Sequence, residues 1–340
     1  MGLANALGGY VTPRGRENLP AWGAPRRGRY EAWYLTLNAP DQGAAFWLRY
    51  TLDAPDHGDP HAELWGHVFD AREPARSFGL RRRWPLAQLE LGGERLVRIG
   101  DAALAEGRAT GALDGAGHEL SWDLGFAPSP RALFMMPRGL RGLISGRATN
   151  WCVPNPDVRY QGRVTADGRT FDLASAPGQQ AHLFGRRHAE AWAWLHCNAF
   201  DGDRRAVVEA VCATVALGGS RRDVTLVYVH HAGKDYLGQA LPGALRNRSE
   251  RELPEFRFGF RAGGLAFSGR ARGDPAKMLQ VAYEDPDGTP SYCCNSELAD
   301  LSLEIRKGTS AELLVATGTA HLEFGGRDRN EALPVCPLIV

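Results

Sequence analysis

Residues 186–201 read RRHAEAWAWLHCNAFD, and residues 26–41 read RRGRYEAWYLTLNAPD. Glu31-Ala32-Trp33 recurs as Glu190-Ala191-Trp192 after 159 positions, and Asn38-Ala39-Pro40-Asp41 as Asn198-Ala199-Phe200-Asp201 after 160, so one inserted residue reconciles the two. An offset near half of the 340 residues is what duplication of one β unit would leave. Both stretches alternate side chains in the two-residue period of a strand, which sends successive residues to opposite faces.

Working outward, residues 30–37 (YEAWYLTL), 45–52 (AFWLRYTL) and 62–69 (AELWGHVF) are aromatic-rich runs. They are separated by the turn compositions Ala39-Pro40-Asp41-Gln42-Gly43 and Ala54-Pro55-Asp56-His57-Gly58. Further strands are expected at 94–99, 117–124, 158–165, 191–199, 223–231, 255–261, 278–284 and 311–324. In RYQGRVTADGRTFDL (159–173), Asp167-Gly168 between two strand-like runs predicts a tight hairpin. RRAVVEAVCATVAL (204–217) fits a helix or a β-branched strand, and periodicity does not choose. LFMMPRGLRGLISG (133–146) reads as a linker carrying a helical turn. An all-β chain with turns at this spacing forms barrels or sandwiches. The expected organisation is an N-terminal extension (1–25), a first β-domain (26–150) and a second (151–340).

Bulk properties remove several function classes. A net charge of +1 gives no basic excess for a polyanion, so no nucleic-acid partner is expected. No apolar run reaches the ~20 residues of a membrane-spanning helix, and the N-terminus lacks a secretory pattern. A cytoplasmic monomer or homodimer is expected. Cysteines 152, 197, 212, 293, 294 and 336 show no C-x-x-C pair, and reduced thiols are expected. His230-His231 puts its rings on opposite strand faces, and no other spacing suggests a metal site. Asn247-Arg248-Ser249 fits a glycosylation sequon, but without a secretory signal it is read as chance. Nucleophile elbow, P-loop and dinucleotide glycine fingerprints are absent from the sequence, so neither cofactor nor metal is expected.

Strand parity then assigns faces. Glu31, Trp33, Leu35 and Leu37 share one, and the apolar company marks it as inward. A carboxyl in such surroundings stays protonated near neutrality and can serve as a general acid. The alternative is a buried ion pair of Glu31 with Arg49 on the next strand. Glu190, Trp192, Trp194, His196 and Asn198 share a second face, and Glu63, Trp65 and His67 a third. Two tryptophans with a histidine and an asparagine suit an apolar ligand bearing a polar handle, or else a barrel filled by its own side chains.

Tyr30-Glu31-Ala32-Trp33-Tyr34 resembles the aromatic-Glu-small-Trp-Tyr strand that opens tocopherol cyclases and their relatives. Gly162-Arg163-Val164-Thr165-Ala166-Asp167-Gly168, then Gly178-x-x-x-His182-x-x-Gly185 and Trp192-x-Trp194, resembles the second-half signature of the same superfamily. That group includes carotenoid 1,2-hydratases (hydroxyneurosporene synthases), AttH-like proteins and fungal decalin-forming cyclases. Many relatives carry an acidic residue just before the motif histidine and a tryptophan two places after it; here those places hold Ala181 and Phe184. The resemblance implies two tandem lipocalin-like antiparallel β-barrels with a hydrophobic small-molecule ligand between them. It further implies a hydratase, cyclase or isomerase acting on a polyene, terpenoid or polyketide-like substrate, or a non-catalytic lipid or pigment carrier using the same cavity. On the enzyme reading, Glu31 or His182 supplies or relays the proton. Trp33, Arg49, Glu63, Trp65, Trp192, Trp194, His196 and Asn198 form the substrate wall.

Overall fold

The structure is a computed structural model that describes residues 10–13, 15–21, 27–135, 149–202, 205–217, 220–238 and 243–339. Most of the expected N-terminal extension and of the linker at 133–146 lies outside the described residues. The strands run β1 (Tyr10–Pro13), β2 (Arg29–Ala39), β3 (Ala44–Ala54), β4 (His61–Asp70), β5 (Phe78–Pro85), β6 (Leu89–Leu91), β7 (Arg95–Ile99), β8 (Ala102–Ala105), β9 (Arg108–Gly115), β10 (His118–Phe126) and β11 (Arg131–Phe134). A long hairpin follows, β12 (Thr149–Ala166) and β13 (Arg169–Gly185). Then come β14 (Ala191–Cys197), β15 (Val207–Leu217), β16 (Ser220–His231), β17 (Lys234–Leu237), β18 (Arg248–Glu252), β19 (Glu255–Ala262), β20 (Leu265–Arg272), β21 (Leu279–Glu284), β22 (Pro290–Lys307), β23 (Ser310–Gly326) and β24 (Leu338–Ile339).

These strands make two sheets, and the fold is all-β, two packed barrels as expected. The first runs β24-β5-β4-β3-β2-β13-β12-β10-β9-β8-β7-β6, with β11 on β12 and β1 on β11. The second runs β17-β16-β15-β14-β23-β22-β20-β19-β18, with β21 on β22. The strands pair antiparallel except β24, which returns from the C-terminal end to lie parallel to β5 of the first sheet. Within the 204–217 stretch, Val207–Leu217 form a strand, because Val207, Val208, Val211 and Val215 favour the pleated surface once β14 and β16 flank it. Between β12 and β13, Asp167 and Gly168 have φ of +48° and +74°, the pair of left-handed residues that a two-residue type I′ turn requires.

The chain passes from the first sheet to the second between Gly185 and Ala191. The reason is the β12–β13 hairpin, which fills the gap between β10 and β2 and so completes the first sheet. The opening motif matches this: β2 sits inside the first sheet and β14 starts the second.

Parity then sorts the interior into three apolar regions. Trp33, Leu35 and Leu37 of β2 pack with Phe46, Leu48 and Tyr50 inside the first barrel. Ala193, Leu195 and Cys197 of β14 pack with Phe256 and Phe258 inside the second. Tyr34, Trp47, Trp65, Trp194, Tyr228 and Tyr283 fill the seam between the barrels. The offset of 160 keeps this assignment, pairing Leu35 with Leu195 and Asn38 with Asn198. The offset of 159 does not, since Trp33 faces a barrel interior while Trp192 belongs to the seam.

Candidate functional site

Glu31 and His182 meet. Antiparallel pairing of β2 with β13 sets Trp33 opposite His182, and His182 Nε2 lies 2.8 Å from Glu31 Oε1 with both side chains fully buried. The Trp33 ring stacks on the imidazole, centroids 4.6 Å apart. All of it is roofed by segment 15–21. His182 Nδ1 is 2.8 Å from the Glu17 carbonyl, the Ala21 amide donates to Glu31 Oε1, and Trp33 Nε1 donates to the Asn18 carbonyl. Burial pulls the His182 pKa down, but hydrogen bonds to Cys152 and Glu31 outweigh it and lift the pKa to about 10. The pair belongs to the first barrel, on the face of β2 opposite the seam.

A cleft of about 170 Å³ opens at the edge of the seam. Three cross-strand rows of the first sheet build one wall: Arg49–Trp65–Arg81, Thr51–Glu63–Arg83 and Asp53–His61. The other wall is His188 with Tyr283 and Asp285, from the lead-in to β14 and the end of β21. Glu63 is fully buried, and burial alone would raise its pKa. His61 together with the Arg81 and Arg83 guanidiniums, 2.8 and 3.0 Å away, holds it down at about 2. Asp53 goes the other way: desolvation and repulsion from Glu63 push it up to about 7. Ligating atoms of Asp53, His61 and Glu63 come within 4.8 Å of one another, although the Glu63 oxygens are already engaged by two guanidiniums.

On the facing wall, His188 Nδ1 is 2.7 Å from Asp285 Oδ1, and that carboxylate also takes the His188 amide and Arg327. The ring lies nearly parallel to Tyr30 and to Tyr283, centroids at 4.7 and 5.1 Å. Nε2 has no hydrogen-bond partner among the described residues. Burial keeps the imidazole below its ordinary pKa despite Asp285, so it is neutral at pH 7.

Behind the cleft the seam stays polar. His196 Nδ1 is 2.7 Å from Glu209 Oε2, whose other oxygen accepts from Trp194 Nε1. His321 Nε2 is 2.6 Å from Asn38 Oδ1, tying the sheets together. Burial raises the pKa of Glu209, raises that of Glu297 well above the carboxylate range and takes Glu323 to about 7. Both Glu297 carboxyl oxygens, His196 Nε2, His67 Nε2 and the Trp47 and Trp65 indole N–H groups have no hydrogen-bond partner among the described residues.

Of the expected site residues, Arg49, Glu63 and Trp65 line the cleft. Trp194, His196 and Asn198 lie buried behind it, and Trp192 packs part-buried on the same seam. Asn198 donates to Asp157 and to the Gly178 carbonyl, a structural tie. Glu31, His182 and Trp33 come together away from the cleft. Sequence reasoning missed Asp53, His61, Arg81, Arg83, His188, Tyr283 and Asp285. Asp53 shares the parity of Arg49 and was within reach of the strand argument. Arg81 and Arg83 sit in a charge-dense run that does not read as a strand, and His188 and Asp285 lie outside the strands.

The two barrels with a cleft between them define the class, a paired lipocalin-like architecture. The family model described as tocopherol cyclase-like matches residues 150–326, and the chain belongs to that family. Uncharacterized protein Rv0493c of Mycobacterium tuberculosis (strain ATCC 25618 / H37Rv) is 31% identical over 315 residues, which span 91% of this chain and 89% of that protein. Among solved structures, a putative AttH (NE1406) from Nitrosomonas europaea is similar with a TM-score of 0.53 at 14% identity, covering 88% of this chain and 93% of that one. CghA gives 0.54 at 11%, covering 93% and 98%. Kievitone hydratase from Nectria haematococca gives 0.52 at 8%, covering 92% of each chain. At such identities these three share the fold. No helix among the described residues is long and apolar enough to cross a membrane.

Proposed function

We propose that the protein is a hydratase- or cyclase-type enzyme that moves protons on an unsaturated, largely hydrophobic substrate held in the cleft between the barrels. The observation that carries this is the facing pair His188 and Asp53. A neutral imidazole, fixed at Nδ1 by Asp285 and sandwiched between Tyr30 and Tyr283, shares one cleft with a carboxyl poised near neutrality. Separating two titratable groups by environment in this way yields a base and an acid at one pH. His188 accepts a proton through Nε2 and Asp53 donates one. Trp65, Tyr30 and Tyr283 supply the aromatic part of the cleft wall beside the pair. The residues themselves thus supply both proton acceptor and donor. Membership of a family named for a cyclase supports the reaction type; a polyene, terpenoid or polyketide-like body fits the aromatic wall. A carrier has no use for acidic groups in its ligand cleft, which weighs against that reading.

A second reading keeps proton delivery with Glu31 and His182, favoured by their 2.8 Å contact. One experiment separates the two. The protein is expressed in a host making diverse isoprenoids and polyketides, the co-purifying ligand is identified by native mass spectrometry, and its conversion in D₂O is followed. Loss of deuterium incorporation in Asp53→Asn and His188→Gln, with Glu31→Gln active, supports the cleft pair. Full activity of both cleft variants refutes it, and loss only in Glu31→Gln or His182→Ala moves the chemistry to the inner pair.

A further inference from the structure

Arg49 lies at the centre of the cleft's first wall and is 4% exposed. Its Nε donates to Thr51 Oγ1, and its guanidinium sits 4.8 Å from the Tyr283 ring centroid and 5.6 Å from that of Trp65. No carboxylate oxygen among the described residues lies within ion-pair distance of it, whereas Arg81 and Arg83 both hold Glu63 and Arg327 holds Asp285. Removing a guanidinium from water without a counter-charge is costly, so a buried, uncompensated arginine opening on a cavity calls for an anion from outside. The neighbouring carboxylates are engaged elsewhere: Glu63 is shared by Arg81 and Arg83, and Asp285 by His188 and Arg327, while Asp53, Asp59 and Glu284 line the same cleft outside ion-pair distance of Arg49. Glu323 also feels the Arg49 charge, and burial raises its pKa to about 7.

We infer that Arg49 is the docking point for an ionised carboxylate of the guest, so that the substrate is an unsaturated carboxylic acid with its apolar body against Trp65, Tyr283 and Tyr30. The planar guanidinium offers paired donors that match the two carboxylate oxygens, while stacking on two aromatic faces fixes its plane. The inference rests on the proton-transfer reading for its choice of cleft. It adds what that reading lacks, a handle that sets the double bond relative to Asp53 and His188.

The test is equilibrium binding to the full chain, followed by tryptophan fluorescence and calorimetry, with cinnamate as the carboxylate probe and cinnamamide as its neutral counterpart. Wild type is expected to bind cinnamate at least tenfold more tightly than the amide, with the difference shrinking in high salt. Arg49→Met is expected to abolish the preference and Arg49→Lys to restore part of it. Arg49→Met is also expected to melt no lower than wild type in the absence of ligand, because it removes an uncompensated buried charge; a structural ion pair would predict marked destabilisation. Equal binding of acid and amide, no saturable binding of cinnamate, or a preference that survives in Arg49→Met each overturn the inference. The two readings fail separately. Turnover surviving in Asp53→Asn and His188→Gln sinks proton transfer whatever cinnamate does, and loss of the carboxylate preference sinks the anion site whatever those variants do.

Discussion

The His188 imidazole stacks on the Tyr30 ring with centroids 4.7 Å apart and planes 11° from parallel. Tyr30 belongs to β2 of the first sheet and His188 to the turn into the second, so the candidate base is fixed where the two sheets are joined. The next residue of β2, Glu31, points the other way and holds His182. One strand therefore separates two histidine–carboxylate pairs, one against the cleft and one inside a barrel.

The cleft pair gives the first prediction. His188→Gln should lower kcat/KM by roughly 10²- to 10⁴-fold, the usual worth of a positioned general base. Asp285→Asn should lower it less, because the imidazole stays sandwiched while losing its orienting carboxylate, and should also lower the melting temperature by freeing Arg327. Steady-state kinetics and thermal melts on the same preparations check both.

The second concerns pH. Asp53 acts in its protonated form with a pKa of about 7, so activity should fall as pH rises through that value, with a separate acid limb at lower pH where His188 takes up a proton. Asp53→Asn should lose activity and also the alkaline limb. A pH profile of kcat/KM that is flat from 6 to 8.5 would remove Asp53 from the mechanism.

Stability supplies the third. The His182 pKa is raised to about 10, so the pair's contribution is fully present below the unfolded value near 6.5 and is lost as pH climbs through 10. Removing one partner of a buried pair costs about 3–5 kcal/mol. Glu31→Gln should destabilise by that order at pH 6 and by less at pH 10, measured as urea midpoints. Segment 15–21 hangs on the same pair and should become cleavable in limited proteolysis of His182→Ala.

How much of this was legible beforehand follows from which physical signal each feature leaves. Period-two alternation exposed β2, β3, β4 and β14 and put Trp33 and Trp194 on faces. The Asp167-Gly168 turn was readable because only a few residue types accept two successive positive φ values. Strands such as β5 (FGLRRRWP) and β20 (LAFSGRAR) escaped, since three consecutive arginines break the alternation in β5 and in β20 the arginines alternate only with Gly269 and Ala271. The Glu31–His182 contact needed the register of β2 on β13, 151 residues apart. His188 and Asp285 meet through tertiary placement alone, which leaves no local pattern.

The fourth prediction tests the buried seam. The carboxyl of Glu297 has its pKa raised well above the ordinary range by burial, with Glu323 adding repulsion. Such a group ionises more readily in the unfolded chain, so it erodes stability as pH rises above the unfolded value near 4.5. Glu297→Gln keeps the shape without the titration. Its stability relative to wild type should therefore increase between pH 4.5 and pH 8; a difference constant across that range would mean that Glu297 is not held neutral.

The last concerns Gly178, the first glycine of the sequence motif that contains His182. A Cβ there would sit 1.9 Å from the Thr36 carbonyl oxygen and 2.9 Å from the Leu37 Cα, both backbone atoms of β2 that cannot swing aside. Its own carbonyl accepts from Asn198 Nδ2, just past the end of β14 in the second sheet. Gly178→Ala should therefore push β13 from β2, loosening the Glu31–His182 contact and the tie between the sheets at once. The expected cost is about 2–4 kcal/mol, at the upper end of single substitutions because backbone must move. Gly168→Ala, whose Cβ would meet nothing within 4 Å, should cost only the strain of a positive φ, on the order of 1 kcal/mol. Equal losses in denaturant midpoint for the two variants would show that the close approach of β13 to β2 is not what the motif glycine provides.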